Sequence, residues 1–243
     1  MPTPPDVRRP VMRMDWLDLT FVHWRYSTVE VQRLLPPWLS VQTFDGSAWV
    51  GLVPFDMRVR PPVGPNLPWL SAFPETNVRT YVRAADGSTG IWFFSLDAGR
   101  LPAVMAARSA YRLPYFWSDM SVERDGDEVA YCSRRRWPGP SGARADLTVL
   151  AGEPVEIGPL EDFLTMRFAV FAPTPLVRTA TRVEHEPWPL RTATVVSLEQ
   201  DVVQVAGLPA PKGDPLVHFS PGVSVRTAAP NVVGGKRPAA PDD

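Results

Sequence analysis

The sequence predicts a mainly β protein, either a barrel or a sandwich of short strands. From Glu75 to Arg83 polar side chains alternate with smaller or apolar ones, which is the two-residue period of a β-strand. Asp86-Gly87 and Asp125-Gly126 are turn pairs that favour hairpins between such strands. After Met166, short β-branched segments are separated by prolines, as in many all-β domains.

The elements follow from these patterns, taken in order. The predicted strands are 14–24, two strands within 41–53, 76–84, 90–97, 117–124, 128–136, 145–157, 166–172, 177–184, 192–197, 202–206 and 223–228. The predicted helices are 28–35, an Ala-rich segment at about 100–111, and 160–165. We expect the strands between 76 and 136 to form one mostly antiparallel, curved sheet, with the Ala-rich helix filling or flanking it.

The domain organisation follows from length and composition. A chain of 243 residues with 44% hydrophobic residues and nine Trp can fill one sizeable core, so a single barrel domain is predicted over 13–229. Residues 1–12 are Pro-rich and are expected to be a flexible arm, and 230–243 a disordered tail. The segment 58–71 contains four prolines and is expected to be an irregular loop that arches over a cavity.

Charge and targeting signals exclude several classes of function. A net charge of −1 and a pI near 6.3 give no field for binding nucleic acid. No apolar run approaches the ~18 residues of a membrane-spanning helix, so no membrane partner is expected. The single Cys132 excludes an internal disulfide, and the first residues lack a signal-peptide core. We therefore expect a cytoplasmic protein.

Sequence motifs indicate neither a cofactor nor a metal. The chain contains no G-x-G-x-x-G, no Walker loop, no G-x-S-x-G and no H-E-x-x-H. His23, His185 and His218 are not spaced as a ligand pair on one helix or strand. A structural role is favoured for each of them, and we expect neither a cofactor nor a metal site.

Three consecutive motifs resemble a known family. They are F-x-E-x-N-V-R-T-Y-V at 73–82, G-I-W-F-F-S-L-D-A at 90–98 and A-R-x-x-Y-x-L-P-Y at 107–115. These motifs are similar to those of the YqjF-like uncharacterised bacterial proteins (DUF2071), which are related to acetoacetate decarboxylase. The likeness spans most of residues 14–228. It implies an acetoacetate-decarboxylase-like antiparallel β-barrel with a few short helices.

The resemblance also argues against one reaction. In the decarboxylases the reactive lysine follows the proline of a G-[FY]-P-K motif and forms a Schiff base with the substrate. The matching segment here is Arg112-Leu-Pro-Tyr115, so Tyr115 stands in the place of that lysine. The chain has only Lys212, in a loop, and Lys236, in the tail. Schiff-base decarboxylation is therefore not expected from the fold.

The rest of a polar pocket is implied by the same resemblance. Glu75 matches a pocket glutamate, and Arg108 matches an arginine on the helix before the proline. We predict that Glu75, Arg108 and Tyr115 converge as catalytic residues beneath the loop 58–71. A glutamate close to arginine is expected to stay ionised, and Tyr115 to donate a proton or a hydrogen bond.

Further residues are predicted to bind the substrate. They are Arg79, Tyr81, Trp92, Phe94 and His23. Arginine donors suit a carboxylate, and aromatic side chains suit a flat or apolar ligand. The alternative is that Glu75, Arg79, Arg83 and Arg108 form a structural network of ion pairs.

Three functions are compatible with these residues. The first is an enzyme of the lyase, hydratase, isomerase or hydrolase type, which acts by acid–base chemistry on a carboxylate or carbonyl compound. The second is a barrel that binds a small molecule without chemistry. The third is an oligomeric structural or regulatory protein. Under this third function, assembly of the chain into a homo-oligomer is an open alternative. A buried contact between Glu75 and Tyr115 favours the first function over the second.

Overall fold

The computed structural model describes residues 4–60, 71–173 and 178–233. Within these ranges most residues lie in strands, and four short helices connect them. The strands are β1 Met12–Tyr26, β2 Leu39–Val41, β3 Ala48–Arg60, β4 Ala72–Ala84, β5 Thr89–Ala98, β6 Tyr115–Asp125, β7 Glu128–Trp137, β8 Arg144–Pro154, β9 Ala169–Pro173, β10 Arg178–His185, β11 Arg191–Gln200, β12 Leu216–Thr227 and β13 Asn231–Val232. The helices are α1 Thr28–Gln32, α2 Leu101–Ala110, α3 Pro159–Thr165 and α4 Val202–Val205.

Nine of the described strands close into a barrel. Their order is β5-β6-β7-β8-β11-β12-β1-β3-β4, and β4 pairs back onto β5. Neighbouring strands are antiparallel except β5 and β6, which are parallel because α2 crosses over between them. Closure leaves the barrel strands without an open edge, which satisfies their backbone groups.

A second closed circuit shares five of these strands. β9 pairs with β5, β10 pairs with β9, and β10 also pairs with the C-terminal end of β12. Together with β1, β3 and β4 they surround a second interior. The shared strands are therefore covered on both faces, which is why β3 and β4 are buried along almost their whole length instead of at alternate positions.

Alternate residues of the shared strands contribute to two cores. Val50 and Leu52 of β3 lie in the core of the nine-strand barrel, whereas Val53 and Phe55 lie in the core of the second circuit. The two-residue period of a strand explains this division. The candidate site lies in the second interior.

The fold agrees with the sequence-based prediction, with three differences. A mainly β barrel with a few short helices is confirmed. Residues 202–205, predicted as a strand, form helix α4, in which Val202 and Val203 are buried in the barrel core. The two strands predicted within 41–53 meet only in a single bridge between Phe44 and Ser47, because β2 pairs with β4 instead. The parallel pairings of β5 were not predicted.

Residues of the predicted N-terminal arm contact the strands of the domain, and Val11 N–H donates to the carbonyl of Thr227 at 2.9 Å. Val7 is buried, and its backbone N–H donates to Glu184 Oε2 at 2.7 Å. Most of the predicted loop 58–71 lies outside the described residues, as do 234–243 of the predicted tail. In the described part of the chain, none of the helices has the length and apolar character required to traverse a bilayer.

Candidate functional site

A cavity of about 580 Å³ lies within the second circuit of strands. Helix α2 forms one wall with Ala103, Ala106, Ala107 and Ala110, whose small side chains leave the space open. The remaining walls are mainly apolar. They include Met12, Met14, Trp16, Met57, Val59, Phe73, Phe93, Leu96, Val170, Ala172 and Val183.

Glu75 is the acidic group of this cavity. Its side chain is 3% exposed and projects from β4 among apolar neighbours. Burial raises the pKa of Glu75 to about 7, although hydrogen bonds from Tyr115 and Asn77 act in the opposite direction and Asp97 adds repulsion. A carboxyl group with such a pKa exchanges protons readily near neutral pH.

Tyr115 lies at the start of β6 and lines the cavity next to Glu75. Its hydroxyl donates to Glu75 Oε2 at 2.8 Å. Burial and the neighbouring carboxylate raise the pKa of Tyr115 well above its ordinary value of 10. The phenol therefore stays protonated at neutral pH and acts as a hydrogen-bond donor.

Arg108 is near Tyr115 but does not reach the cavity. Its Nη1 donates to the backbone carbonyl of Tyr115 at 2.7 Å, and its guanidinium lies 5.6 Å from the ring centroid of Trp137. The guanidinium therefore neither pairs with Glu75 nor contacts the Tyr115 hydroxyl. The expectation that an arginine keeps Glu75 ionised is wrong, because burial dominates the pKa of Glu75.

Three of the residues predicted to bind substrate form a separate, closed cluster. His23 Nε2 lies 2.6 Å from the hydroxyl of Tyr81, and both side chains are fully buried. The Arg79 guanidinium lies 5.2 Å from the ring centroid of Phe21 and donates to the carbonyl of Leu164. None of the three lines the described cavity. They therefore do not contact a ligand held in that cavity.

Close packing fixes His23 in this cluster. A Cβ on Gly51 would lie 2.9 Å from His23 Nε2, so glycine is what leaves room for the imidazole. Burial lowers the pKa of His23 well below its ordinary value, and Arg79 and His218 lower it further. His23 is therefore neutral at physiological pH.

The aromatic side chains of β5 divide between two environments. Trp92 and Phe94 pack in a cluster with Leu39 and Val82 and do not line the cavity. Phe93 and Leu96 line it although they are three residues apart, because the register of β4 and β5 shifts between Val78 and Arg79. A bulge of this kind changes which residues face the interior, and the alternation pattern alone does not reveal it.

The alternative ion-pair network is not observed. In the described ranges no salt bridge involves Glu75, Arg79, Arg83 or Arg108. The buried ion pair close to the site is instead Asp97 with Arg135, whose Nη2 lies 2.6 Å from Asp97 Oδ2. Asp97 lies on β5 and Arg135 on β7, so this pair links two barrel strands and does not line the cavity.

Sequence analysis missed a row of threonines in the cavity wall. Thr179 and Thr181 of β10 and Thr227 of β12 line it. Thr179 and Thr181 are two residues apart on β10, a spacing that is visible in the sequence. Thr227 lies on β12, the strand that pairs with β10. Nothing in the sequence placed β10 opposite α2, because that depends on the second closure of the sheet.

Neither a lysine nor a group of metal ligands lies in the described cavity. Lys212 is exposed in the loop before β12, and Lys236 lies outside the described residues. In residues 4–60, 71–173 and 178–233 no group of three or more His, Cys, Asp or Glu side chains is arranged to hold a metal ion.

A family model matches most of this chain. Residues 13–224 match the model of a family described as an uncharacterized conserved protein, DUF2071. The chain belongs to the DUF2071 family. It is 34% identical over 212 residues to the uncharacterized protein YqjF of Bacillus subtilis (strain 168), covering 86% of this chain and 87% of that protein.

Solved structures share the fold at low sequence identity. An acetoacetate decarboxylase from Legionella pneumophila superposes with a TM-score of 0.64 at 16% identity, covering 96% of this chain and 92% of that one. The enduracididine biosynthesis enzyme MppR complexed with pyruvate gives 0.64 at 12% identity, covering 96% and 91%. An acetoacetate decarboxylase-like enzyme from Sphingomonas wittichii RW1 gives 0.65 at 13%, covering 93% and 94%.

Proposed function

We propose that this protein is an enzyme that moves protons on a small carbonyl compound held in the cavity, with Glu75 as the acid–base group. The observation that carries the proposal is the buried contact between Glu75 and Tyr115 on the wall of a ligand-sized cavity, together with a pKa of Glu75 of about 7. A pKa near the working pH is what a general acid or base requires.

The step that this arrangement supports is proton abstraction beside a carbonyl group. Ionised Glu75 takes the proton from the adjacent carbon, the electron pair of the C–H bond moves into the enolate, and protonated Glu75 then returns the proton. Tyr115 favours the ionised form of Glu75 through its hydrogen bond and so opposes the effect of burial on the pKa of Glu75. Return of the proton at a different atom gives an isomerase. If the bond between the β carbon and a leaving group breaks instead, that group departs with the bonding electrons and takes the proton from Glu75, which gives a lyase.

The proposal requires no Schiff base. The motif resemblance aligns Tyr115 with the lysine of the related decarboxylases, and Lys212 is exposed outside the cavity. Fold neighbours include a decarboxylase of acetoacetate and an enzyme complexed with pyruvate, both of them carbonyl compounds. These neighbours support a carbonyl substrate class for this chain.

The test is exchange of the protons next to a carbonyl group in D₂O, followed by NMR with 2-butanone, 2-nonanone and pyruvate. The wild-type protein should accelerate exchange for at least one of them, and Glu75→Gln should reduce the rate by about 10²–10⁴-fold. Glu123→Gln, an exposed change on β6, is the matched control and should exchange at the wild-type rate. Equal rates for wild type and Glu75→Gln, or no exchange with all three compounds, would contradict the proposal.

A second function rests on one observation. The cavity lining is mainly apolar, as in proteins that only bind a ligand. If 2-nonanone binds to the cavity but wild-type protein exchanges none of its protons, the binding function replaces the catalytic one.

A further inference from the structure

The charge of the cavity restricts what it can bind. The described lining contains no arginine, lysine or histidine, and Glu75 is its one carboxylate. The described walls therefore offer no cation to pair with a negatively charged ligand.

An anionic ligand would be strongly disfavoured in such a place. A buried carboxylate needs a paired cation or several hydrogen-bond donors, and without them its desolvation is costly. Here it would also lie near Glu75, and two carboxylates that share a site do not both ionise readily. Glu75 already has its pKa raised without a ligand, which shows how poorly the site solvates negative charge.

The size and chemistry of the walls indicate an apolar ligand body. A volume of about 580 Å³ is typical of pockets for drug-sized molecules, and pyruvate would leave most of it empty. Met12, Met14 and Met57 contribute flexible side chains that adapt to irregular apolar shapes. The threonines of β10 and β12 add hydrogen-bonding groups without charge.

We infer that the cavity takes an uncharged molecule with an extended apolar body and one carbonyl group, and that it rejects the carboxylate of the same length. The assignment of the carbonyl to the Glu75 end rests on the proposed function. The preference for an uncharged, apolar molecule rests on the cavity walls alone. The expected substrate class is thus a neutral, medium-sized ketone or aldehyde instead of a short keto acid.

Isothermal titration calorimetry at pH 8 tests this inference with three probes: 2-nonanone, nonanoate and acetone. 2-Nonanone and nonanoate have the same number of carbons and differ in charge. We expect 2-nonanone to bind at least ten-fold more tightly, because it carries no negative charge. Acetone should bind more weakly still, because it has a carbonyl but no apolar body. Equal or tighter binding of nonanoate, or no binding of 2-nonanone, would overturn the inference.

Two variants place the binding in this cavity. Ala107→Phe and Ala103→Phe, each on the α2 wall, should fill the space and reduce 2-nonanone binding at least ten-fold. Ser109→Phe is the matched control, because Ser109 is exposed on the same helix and does not line the cavity. Circular dichroism verifies that each variant folds. Unchanged binding by both folded alanine variants would place the ligand elsewhere and refute the inference.

A variant that introduces a positive charge gives an independent readout. Thr181→Lys introduces a cation into the wall and should strengthen nonanoate binding relative to 2-nonanone by at least ten-fold. Thr179→Lys serves the same purpose if the first variant does not fold. Folded variants whose preference stays unchanged would count against charge as the reason for the selectivity.

Failure of this inference differs from failure of the proposed function. If Glu75→Gln binds 2-nonanone while neither it nor the wild type exchanges protons, the catalytic proposal fails and the ligand class stands. If exchange depends on Glu75 but pyruvate or nonanoate binds as well as 2-nonanone, the catalytic proposal stands and the ligand class fails.

Discussion

Two polar clusters on one face of β4 differ in what lies opposite them. Glu75, near the start of the strand, opens on the cavity, whereas Arg79 and Tyr81, further along the same face, are enclosed by packed side chains. Both clusters are buried and both contain a tyrosine hydrogen-bonded to a titratable group. Burial raises the pKa of Glu75 and lowers that of His23.

The comparison shows that burial and shifted pKa values do not by themselves identify a functional site. Desolvation acts on any buried titratable group, whether or not a ligand can reach it. What separates the two clusters is space: Glu75 adjoins a ligand-sized cavity, and the His23 imidazole is in close contact with Gly51.

The largest effect concerns stability as a function of pH. Glu75 ionises near 4.5 in the unfolded chain and near 7 in the folded one, so its contribution to stability is complete below pH 4.5 and is lost as the pH rises through about 7. Glu75→Gln does not titrate. The difference in unfolding free energy between variant and wild type should therefore shift by about 3 kcal/mol in favour of the variant over that range.

Urea denaturation at a series of pH values measures this difference. Glu123→Gln is the control, because Glu123 is exposed. The difference in unfolding free energy between Glu123→Gln and the wild type should change little with pH. A flat profile for Glu75→Gln would mean that the carboxyl of Glu75 is not desolvated.

The two tyrosines offer a matched pair of substitutions. Tyr81→Phe removes the partner of a buried His23 nitrogen and should cost about 1–3 kcal/mol of unfolding free energy. It should leave 2-nonanone binding unchanged, because Tyr81 does not line the cavity. Thermal unfolding and calorimetry measure the two quantities. Loss of ligand binding without loss of stability would assign the closed cluster to the site.

Tyr115→Phe is expected to change the pH dependence of proton exchange. The hydrogen bond from Tyr115 lowers the pKa of Glu75, so its removal should raise that pKa, by about one pH unit. Exchange that depends on ionised Glu75 should then begin at a more alkaline pH than in the wild type. Rates measured from pH 5 to 9 test the shift, and Tyr81→Phe should keep the wild-type profile.

Arg108→Gln should have the smallest effect. Its guanidinium holds the backbone carbonyl of Tyr115 and does not contact the Glu75 carboxylate, so we expect a loss of about 0.5–1.5 kcal/mol in stability. The pH profile of exchange should keep its midpoint, which a direct electrostatic role would move. A loss of exchange as large as that of Glu75→Gln would restore the catalytic role predicted for Arg108 from the sequence.

Local patterns in the chain were enough to predict the class of fold and most of its strands. Alternation from Glu75 to Arg83, the turn pairs at Asp86-Gly87 and Asp125-Gly126, and the family motifs were sufficient, because strand period and turn chemistry are local properties. The approach of Tyr115 to Glu75 was also predicted, since a tight turn joins β4 to β5 and a short helix and a proline join β5 to β6.

Only the tertiary structure decided which buried polar residues face a cavity. Alternation assigns Glu75, Arg79 and Tyr81 to one face but contains no information about the elements that cover that face. Two of those elements, β9 and β10, come from a distant part of the chain, and the bulge in β5 places Phe93 and not Trp92 in the wall. Packing between distant segments, which no local pattern encodes, therefore separates the site from the structural cluster beside it.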